Sequence, residues 1–513
     1  MNAIRPILIA ALLYALVPAP ALPQALTSLS SVRVSYNTRK VTAKPQGELK
    51  AQIDALDKEI ADATRLGRNG ELRRLFAKGL TLLNGRPWTD VADYTASLVV
   101  RSDRVAVDST KPYAVRLEQI FSPSIELSRS LTAHAMLRKR PVPGAAAQPD
   151  ETGTDLGSFD GVSRDLRESP FPMDLDLKTI ADGVYQLAID VKDEARPLGS
   201  ATLGIVVRKG LDDAVMRLQS AAARASEPFR AEILFPVDRI RNANRGRIEL
   251  RTFDLTSDLT AAEAAATATA AGKDPFAGRT GDMKRHYLLD TAGEIMPYRL
   301  YVPTSHSPAR AFPLIIALHG LGQTEDSFFD AYSKRVPQLA EQHGYIVAAP
   351  LGYRVDGFYG YGLSAPPSDP VARRLQELSE QDVMQVLQRV KQQYKIDESR
   401  IYLMGHSMGA IGTWRLAPKY PDIWAALAPI SGFGAPDTVE KIKHIPEIVV
   451  HGDADPTVPV GGSRAMVAKM KELGVEVKYI EVPGGNHTDI AVPNLPAIFD
   501  FFDAHRKAAR VTQ

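Results

Sequence analysis

The chain of 513 residues contains no cysteine. Disulfides, a thiol nucleophile, lipid attachment through a thiol and thiolate metal sites are all excluded, so the fold rests on its apolar cores alone. Charge of one sign is also missing: 62 Lys and Arg against 60 Asp and Glu leave a net +2. That balance argues against a nucleic-acid partner, because neutralising phosphates takes clustered basic side chains. No apolar run reaches the roughly 20 residues that a membrane-crossing helix needs. Repeats, low-complexity tracts, metal-ligand clusters and phosphate-cradling glycine loops are absent too, and no metal or cofactor is expected.

What is present begins with a targeting pattern. Arg5 precedes the apolar stretch Ile7 to Val17, and Ala19-Pro20-Ala21 then offers a small-x-small cleavage site, with Ala25 as a second. Residues 1–25 are therefore predicted to be a secretory signal, with no transmembrane segment beyond it and a secreted or periplasmic location.

The remaining length calls for more than one domain. Residues 26–90 read as helical, because Leu49, Ile53, Leu56 and Ile60 and then Leu72, Leu75, Phe76 and Leu80 recur at helical spacing around a Gly67/Gly70 break. From 91 to 210 the period shortens to that of strands, as in Tyr185-Gln186-Leu187-Ala188-Ile189, which predicts a β-sandwich with a long loop over 141–173. Residues 211–282 read as a helical connector, with Ala-rich helices at 211–225 and 259–272. From 283 to 513 strands and helices alternate, and the expected fold there is an α/β, doubly wound, mostly parallel sheet. Its strands are expected at 284–290, 296–302, 312–318, 345–349, 400–404, 425–430, 446–451 and 476–482, and helices at 379–394, 408–419 and 462–473.

Within that C-terminal part, Gly405-His406-Ser407-Met408-Gly409 follows an apolar strand and precedes a helical stretch. This is the G-x-S-x-G pattern of a strained strand-to-helix turn that presents a serine, here Ser407. A serine nucleophile needs a histidine to take its proton, an acid to orient that histidine, and backbone N–H groups to receive the oxyanion. His487 follows strand 476–482 in a Gly-rich loop. Asp455 follows strand 446–451, with Asp453 as a competitor that is better suited to hydrogen-bonding loop backbone. The oxyanion receivers are expected to be the N–H groups of Leu321, in His319-Gly320-Leu321-Gly322, and Met408. His319 is expected to be a structural hydrogen-bonder, Trp414 a core residue, and His505 a solvated helix-end cation.

These pieces carry a resemblance. Leu318-His319-Gly320-Leu321-Gly322, Asp397-Glu398-Ser399-Arg400-Ile401-Tyr402, Gly405-His406-Ser407-Met408-Gly409, His451-Gly452-Asp453-Ala454-Asp455 and Asn486-His487 together resemble an α/β-hydrolase of the secreted esterase type. That group includes feruloyl esterase and polyhydroxybutyrate depolymerase-like enzymes and predicted prolyl-oligopeptidase-family peptidases. Ala410 departs from the second glycine that many relatives carry there. The resemblance implies acyl transfer to water with Ser407, His487 and Asp455 as the triad, acting on an ester-containing small molecule or polymer. Two other readings stay open: a serine peptidase on the same scaffold, and an inert binding or scaffold protein. Tyr353, Phe358, Tyr359 and Tyr361 are interleaved with glycine on the loop after strand 345–349, where they form either a substrate-binding wall or ordinary loop packing.

Overall fold

A computed structural model of the chain describes residues 29–127, 131–140, 153–248 and 254–507. The expected signal, 1–25, lies outside the described residues. The described residues form two compact units, one up to Met216 with Arg239–Leu255 and the other from Arg217–Asp238 with Thr256 onward. Among them, no helix is long and apolar enough to cross a membrane.

The first unit opens with helices α1 (Leu29–Ala43), α2 (Gly47–Arg65) and α3 (Asn69–Leu83) around Val32, Tyr36, Ile53, Leu56 and Phe76. Helix α1 is rich in Ser, Val and Thr, which favour helix weakly, so its pattern is hard to read. Packing holds it: the Tyr36 ring lies 5.5 Å from that of Phe76, and a Cβ on Gly79 would fall 2.3 Å from Tyr36. Helix α4 (Asp90–Ser97) follows, with the Thr89 side chain accepting from the Ala92 N–H at its start.

Next come strands β1 (Leu98–Arg101), β2 (Ala106–Asp108), β3 (Tyr113–Gln119), β4 (Leu131–Lys139), β5 (Thr154–Val162), β6 (Phe171–Leu175), β7 (Gly183–Asp193) and β8 (Arg196–Arg208). They form a sheet ordered β1-β3-β6 and a second ordered β2-β8-β7-β4-β5. Alternate residues of both sheets, such as Val115 and Leu117 of β3 and Leu131, Ala133 and Ala135 of β4, enter one core, so this is a β-sandwich. The loop expected over 141–173 is a correction in its described part, since β5 and β6 lie there. The polar, Gly-rich composition of β5 fits an edge strand with bulges opposite β4, where only one face of the chain has to be apolar.

Helices α5 (Leu211–Arg224), α6 (Glu227–Asn244) and α7 (Leu255–Ala270) follow. Helix α6 escapes a sequence reading because Pro236 interrupts its pattern.

The second unit is built on β9 (Gly281–Leu289), β10 (Glu294–Val302), β11 (Phe312–Leu318), β12 (Ile346–Pro350), β13 (Ile396–His406), β14 (Ala426–Ile430), β15 (Glu447–Gly452) and β16 (Val477–Val482). The sheet order is β16-β15-β14-β13-β11-β12-β10-β9. β11 to β16 pair in parallel, while β10 runs antiparallel to both β12 and β9. This is the α/β-hydrolase topology. Helices α8 (Ser327–Asp330), α9 (Arg335–His343), α10 (Pro370–Gln393), α11 (Met408–Lys419), α12 (Gly461–Glu472) and α13 (Ala491–Ala504) complete it. The unbroken apolar run of β11 has a simple cause. Phe312, Leu314, Ile316 and Leu318 enter the core on one face of the sheet, and Ile315 and Ala317 enter the core on the other.

One buried acid sits at the opposite end of this sheet from the strand-end loops. Glu447, the first residue of β15, is fully buried and accepts from Trp414 Nε1 at 2.8 Å. Burial pushes its carboxyl up to about 8, and the Trp414 hydrogen bond only partly offsets that. The folded chain therefore holds Glu447 neutral at pH 7, where the unfolded chain ionises it. With the folded value raised, the stability linked to this group is whole below the ordinary glutamate value and is lost as pH rises towards 8. Glu447→Gln should raise the unfolding free energy by about 1–3 kcal/mol at alkaline pH and hardly at all near the ordinary glutamate value. Urea denaturation at the two pH values measures this, and an equal effect at both would refute it.

Candidate active site

The ends of β13, β15 and β16 and the loops after them bring Ser407, Asp455 and His487 together. Strand β13 ends in the Gly405–Gly409 pentapeptide. There Ser407 adopts φ 58° and ψ −116°, a conformation that side-chain-bearing residues rarely occupy. The surroundings over-determine it. The Ser407 N–H donates to Ile430 O of β14 at 2.9 Å, and its carbonyl accepts from Ala410 and Ile411. A Cβ on Gly405 would lie 2.2 Å from Gly409 O, and one on Gly409 would lie 1.8 Å from Leu318 O. Glycine at both positions is a packing requirement.

His487 Nε2 lies 2.9 Å from Ser407 Oγ, and its Nδ1 lies 2.7 Å from Asp455 Oδ2. With the carboxylate accepting from Nδ1–H, Nε2 is left as the acceptor for the serine hydroxyl, the tautomer a general base needs. Asp455 Oδ1 accepts from the Thr457 and Val458 N–H groups at 2.8 and 2.9 Å. Burial pushes the Asp455 carboxyl up, but the His487 hydrogen bond and those two backbone donors outweigh it and hold it below the usual carboxylate range. Asp453 instead accepts from the Gly484 N–H at 2.6 Å, which ties the loop after β15 to the loop after β16. Gly452 lets those loops meet, since a Cβ there would stand 2.1 Å from Gly485 O.

The turn after β11 brings Gly320 against the serine, with a Cβ at that position 3.5 Å from Ser407 Cβ. Its neighbouring amides are committed: the Gly320 N–H donates to Gln323 Oε1, Gly322 to Val355 O and Gln323 to Gly320 O. Between them the Leu321 N–H is the amide left over. Met408 opens α11, so its N–H belongs to the first turn, where no helix carbonyl is available to accept it. His319 is buried, with Nε2 2.7 Å from Leu351 O, and burial pushes its pKa down.

The four aromatic residues of the loop after β12 are not equivalent: Tyr359 is buried, and Tyr353, Phe358 and Tyr361 are partly exposed. Tyr359 is fully buried, and its hydroxyl donates to His319 O at 3.0 Å. Its ring fills the space over Gly412, where a Cβ would come within 2.5 Å. Tyr359 therefore buttresses the His319-Gly320 turn from beneath. Tyr353 donates its N–H to Asp382 at 2.7 Å and its hydroxyl to Glu294 at 3.1 Å, and Phe358 packs on the core with Arg415 5.5 Å from its ring. Tyr361 is half-buried with Lys419 5.3 Å from its ring. Aromatic and glycine content alone does not say which side of a loop faces the core.

Three supporting residues escape the sequence reading. His406, the variable residue of the pentapeptide, lies 2.8 Å from the His487 carbonyl through Nε2 and 2.8 Å from the Tyr332 hydroxyl through Nδ1. Burial lowers its pKa to about 4, so it is neutral, donating from Nε2 to His487 O and accepting from Tyr332. Ser431 donates to the same carbonyl at 3.1 Å. His487 is thus fixed through its backbone as well as its ring. The histidine inside the motif was the only available signal for this. His505 stands at the C-terminal end of α13 as expected, but it is tied down rather than freely solvated, with Nδ1 2.6 Å from Phe501 O and Nε2 2.9 Å from Glu476 Oε1.

Residues 290–472 match the family model described as putative esterase. Over 156 residues the chain is 29% identical to a bifunctional acetylxylan esterase/xylanase of Neocallimastix patriciarum, covering 30% of this chain and 21% of that protein. Feruloyl esterase B of Talaromyces stipitatus is 32% identical over 146 residues, covering 28% of this chain and 37% of that protein. Cutinase 1 of Thermobifida cellulosilytica is 31% identical over 100 residues, covering 20% and 37%. The chain thus spans well under half the length of these relatives. The sheet order gives the second unit an α/β-hydrolase fold, and the sequence over residues 290–472 is similar to esterases.

Proposed function

We propose that the chain is an exported serine hydrolase that cleaves carboxylic esters through an acyl-enzyme. Ser407 Oγ attacks the ester carbonyl while His487 Nε2 takes its proton, and Asp455 orients the ring and stabilises the imidazolium. The oxyanion of the tetrahedral intermediate accepts from the N–H groups of Leu321 and Met408, and each such donor contributes about 2.7–4 kcal/mol. His487 then protonates the leaving alkoxide. Water repeats the sequence on the acyl-Ser407 ester, releasing the acid and restoring the serine. The single observation that carries this reading is the hydrogen-bonded line from Ser407 through His487 to Asp455, at 2.9 and 2.7 Å, on a strained elbow. The names of the similar proteins, acetylxylan esterase, feruloyl esterase and cutinase, support ester cleavage. Export rests on the sequence pattern of residues 1–25.

The substrate we favour is an ester, free or on a polymer, with an apolar part next to the carbonyl. Leu321 and Phe433 support this, being 58% and 47% exposed on the loops after β11 and β14 that border Ser407. Exposed apolar side chains beside a polar site are natural contacts for such a group. A panel of p-nitrophenyl acetate, butyrate and octanoate, methyl ferulate, polyhydroxybutyrate and a peptide anilide tests the reading. Turnover of the esters is expected, and cleavage of the anilide alone would sink it.

A further inference from the structure

Asp455 has a second histidine. Behind it, His451 of β15 is fully buried, and its Nε2 lies 3.2 Å from Asp455 Oδ2, the same oxygen that faces His487, and 2.9 Å from Val458 O. On the other side of the ring, Nδ1 lies 2.7 Å from the hydroxyl of Ser463, the buried serine of α12, which also reaches Gly432 O at 2.9 Å. We propose that His451, held by Ser463, is a positioning residue for the Asp455 carboxylate, acting through its hydrogen bond to Val458 O and the approach of its Nε2–H edge to Oδ2. The resulting line runs Ser407, His487, Asp455, His451, Ser463. It rests on the reading of Ser407, His487 and Asp455 given above.

The proton inventory fixes which nitrogen of His451 carries the hydrogen. Val458 O and the Asp455 carboxylate can only accept, so Nε2 of His451 must carry a hydrogen. This holds whether the Ser463 hydroxyl donates to Nδ1 or to Gly432 O. That hydrogen bonds Val458 O, whose own N–H donates to Asp455 Oδ1, while the same Nε2 stands 3.2 Å from Asp455 Oδ2. The carboxylate is therefore hydrogen-bonded by His487 and two backbone N–H groups, with the positive edge of the His451 ring beside the oxygen that faces His487. Other titratable groups around His451 are Glu481, its cross-strand neighbour on β16, paired with Arg464 of α12, and His406 at the end of β13. None of these contacts the Asp455 carboxylate, so among them only the His451 ring, whose Nε2 stands 3.2 Å from Oδ2, changes it on removal.

The sign of the effect follows. Without the positive Nε2–H edge beside Oδ2, the carboxylate attracts the His487 proton more strongly, and His487 becomes active as a base only at higher pH. In His451→Phe, which keeps the ring and removes both nitrogens, the acid limb of kcat/KM for p-nitrophenyl acetate should move up by about 0.5–1 pH unit. kcat should fall about 10–100-fold through loss of orientation, with KM little changed. His451→Gln, which restores a donor, should recover part of both. Ser463→Ala should shift the limb in the same direction by less. A folded His451→Phe with an unmoved acid limb and unchanged kcat would overturn the proposal. If that variant does not fold, an unmoved limb and kcat in Ser463→Ala overturns it. Fluorophosphonate labelling of the wild type separates the two levels: an unlabelled Ser407 removes the hydrolase reading itself, whereas a labelled Ser407 with inert variants removes only the role of His451.

Discussion

Ser407→Ala should lower kcat on short p-nitrophenyl esters by about 10⁴-fold or more, with the unfolding midpoint close to that of the wild type. The size of the loss follows from the mechanism. Without Oγ no acyl-enzyme forms, and the Leu321 and Met408 donors are left to stabilise only direct attack by water. Stability should hardly change, because the backbone at φ 58° is kept and the side chain removed is small and partly exposed. The hydroxyl's one described hydrogen-bond partner is His487, which remains tied to Asp455 and through its carbonyl to His406 and Ser431. Steady-state kinetics with thermal melting separates this from unfolding. A loss below tenfold would mean that Ser407 is not the nucleophile.

Gly409→Ala should be the most damaging small substitution in the C-terminal domain, costing about 3 kcal/mol or more of stability. The added methyl would sit 1.8 Å from Leu318 O and 3.0 Å from His319 O. Both are backbone atoms at the end of β11 and cannot rotate away as a side chain would. Relief requires moving α11 away from β11, and that opens the contact between Ser407 and the His319-Gly320 turn. Activity and stability should therefore fall together. Gly461→Ala is the matched control: nothing lies within 4 Å of its added Cβ, and its φ is not positive. Denaturant titration of the two variants should give a large loss for the first and a change within about 0.5 kcal/mol for the second.

Both predictions rest on features that can be read in the sequence, and the reasons are physical. Parallel strands covered on both faces are nearly continuous apolar runs, so β11, β14 and β15 are visible without alignment. The pentapeptide, Asp455 and His487 are legible because each follows such a run, and strand ends are where an open α/β sheet gathers its polar groups. Directions of side chains are not legible. Tyr359 is written like its neighbours Phe358 and Tyr361, yet only the fold turns it beneath His319. His406 reads as the free position of a motif, and its bond to the His487 carbonyl spans 81 residues of sequence. In the first unit the misses have another origin. Helix α1 is held by packing against α3 in spite of poor helix formers, and β5 is an edge strand whose composition resembles a loop.

The most direct test of the account is mass spectrometry of the full chain after treatment with a fluorophosphonate, followed by peptide mapping. One adduct on the peptide containing Ser407, absent in Ser407→Ala and His487→Ala, is the predicted result. No adduct on the wild type, or an adduct on a different serine, would contradict it.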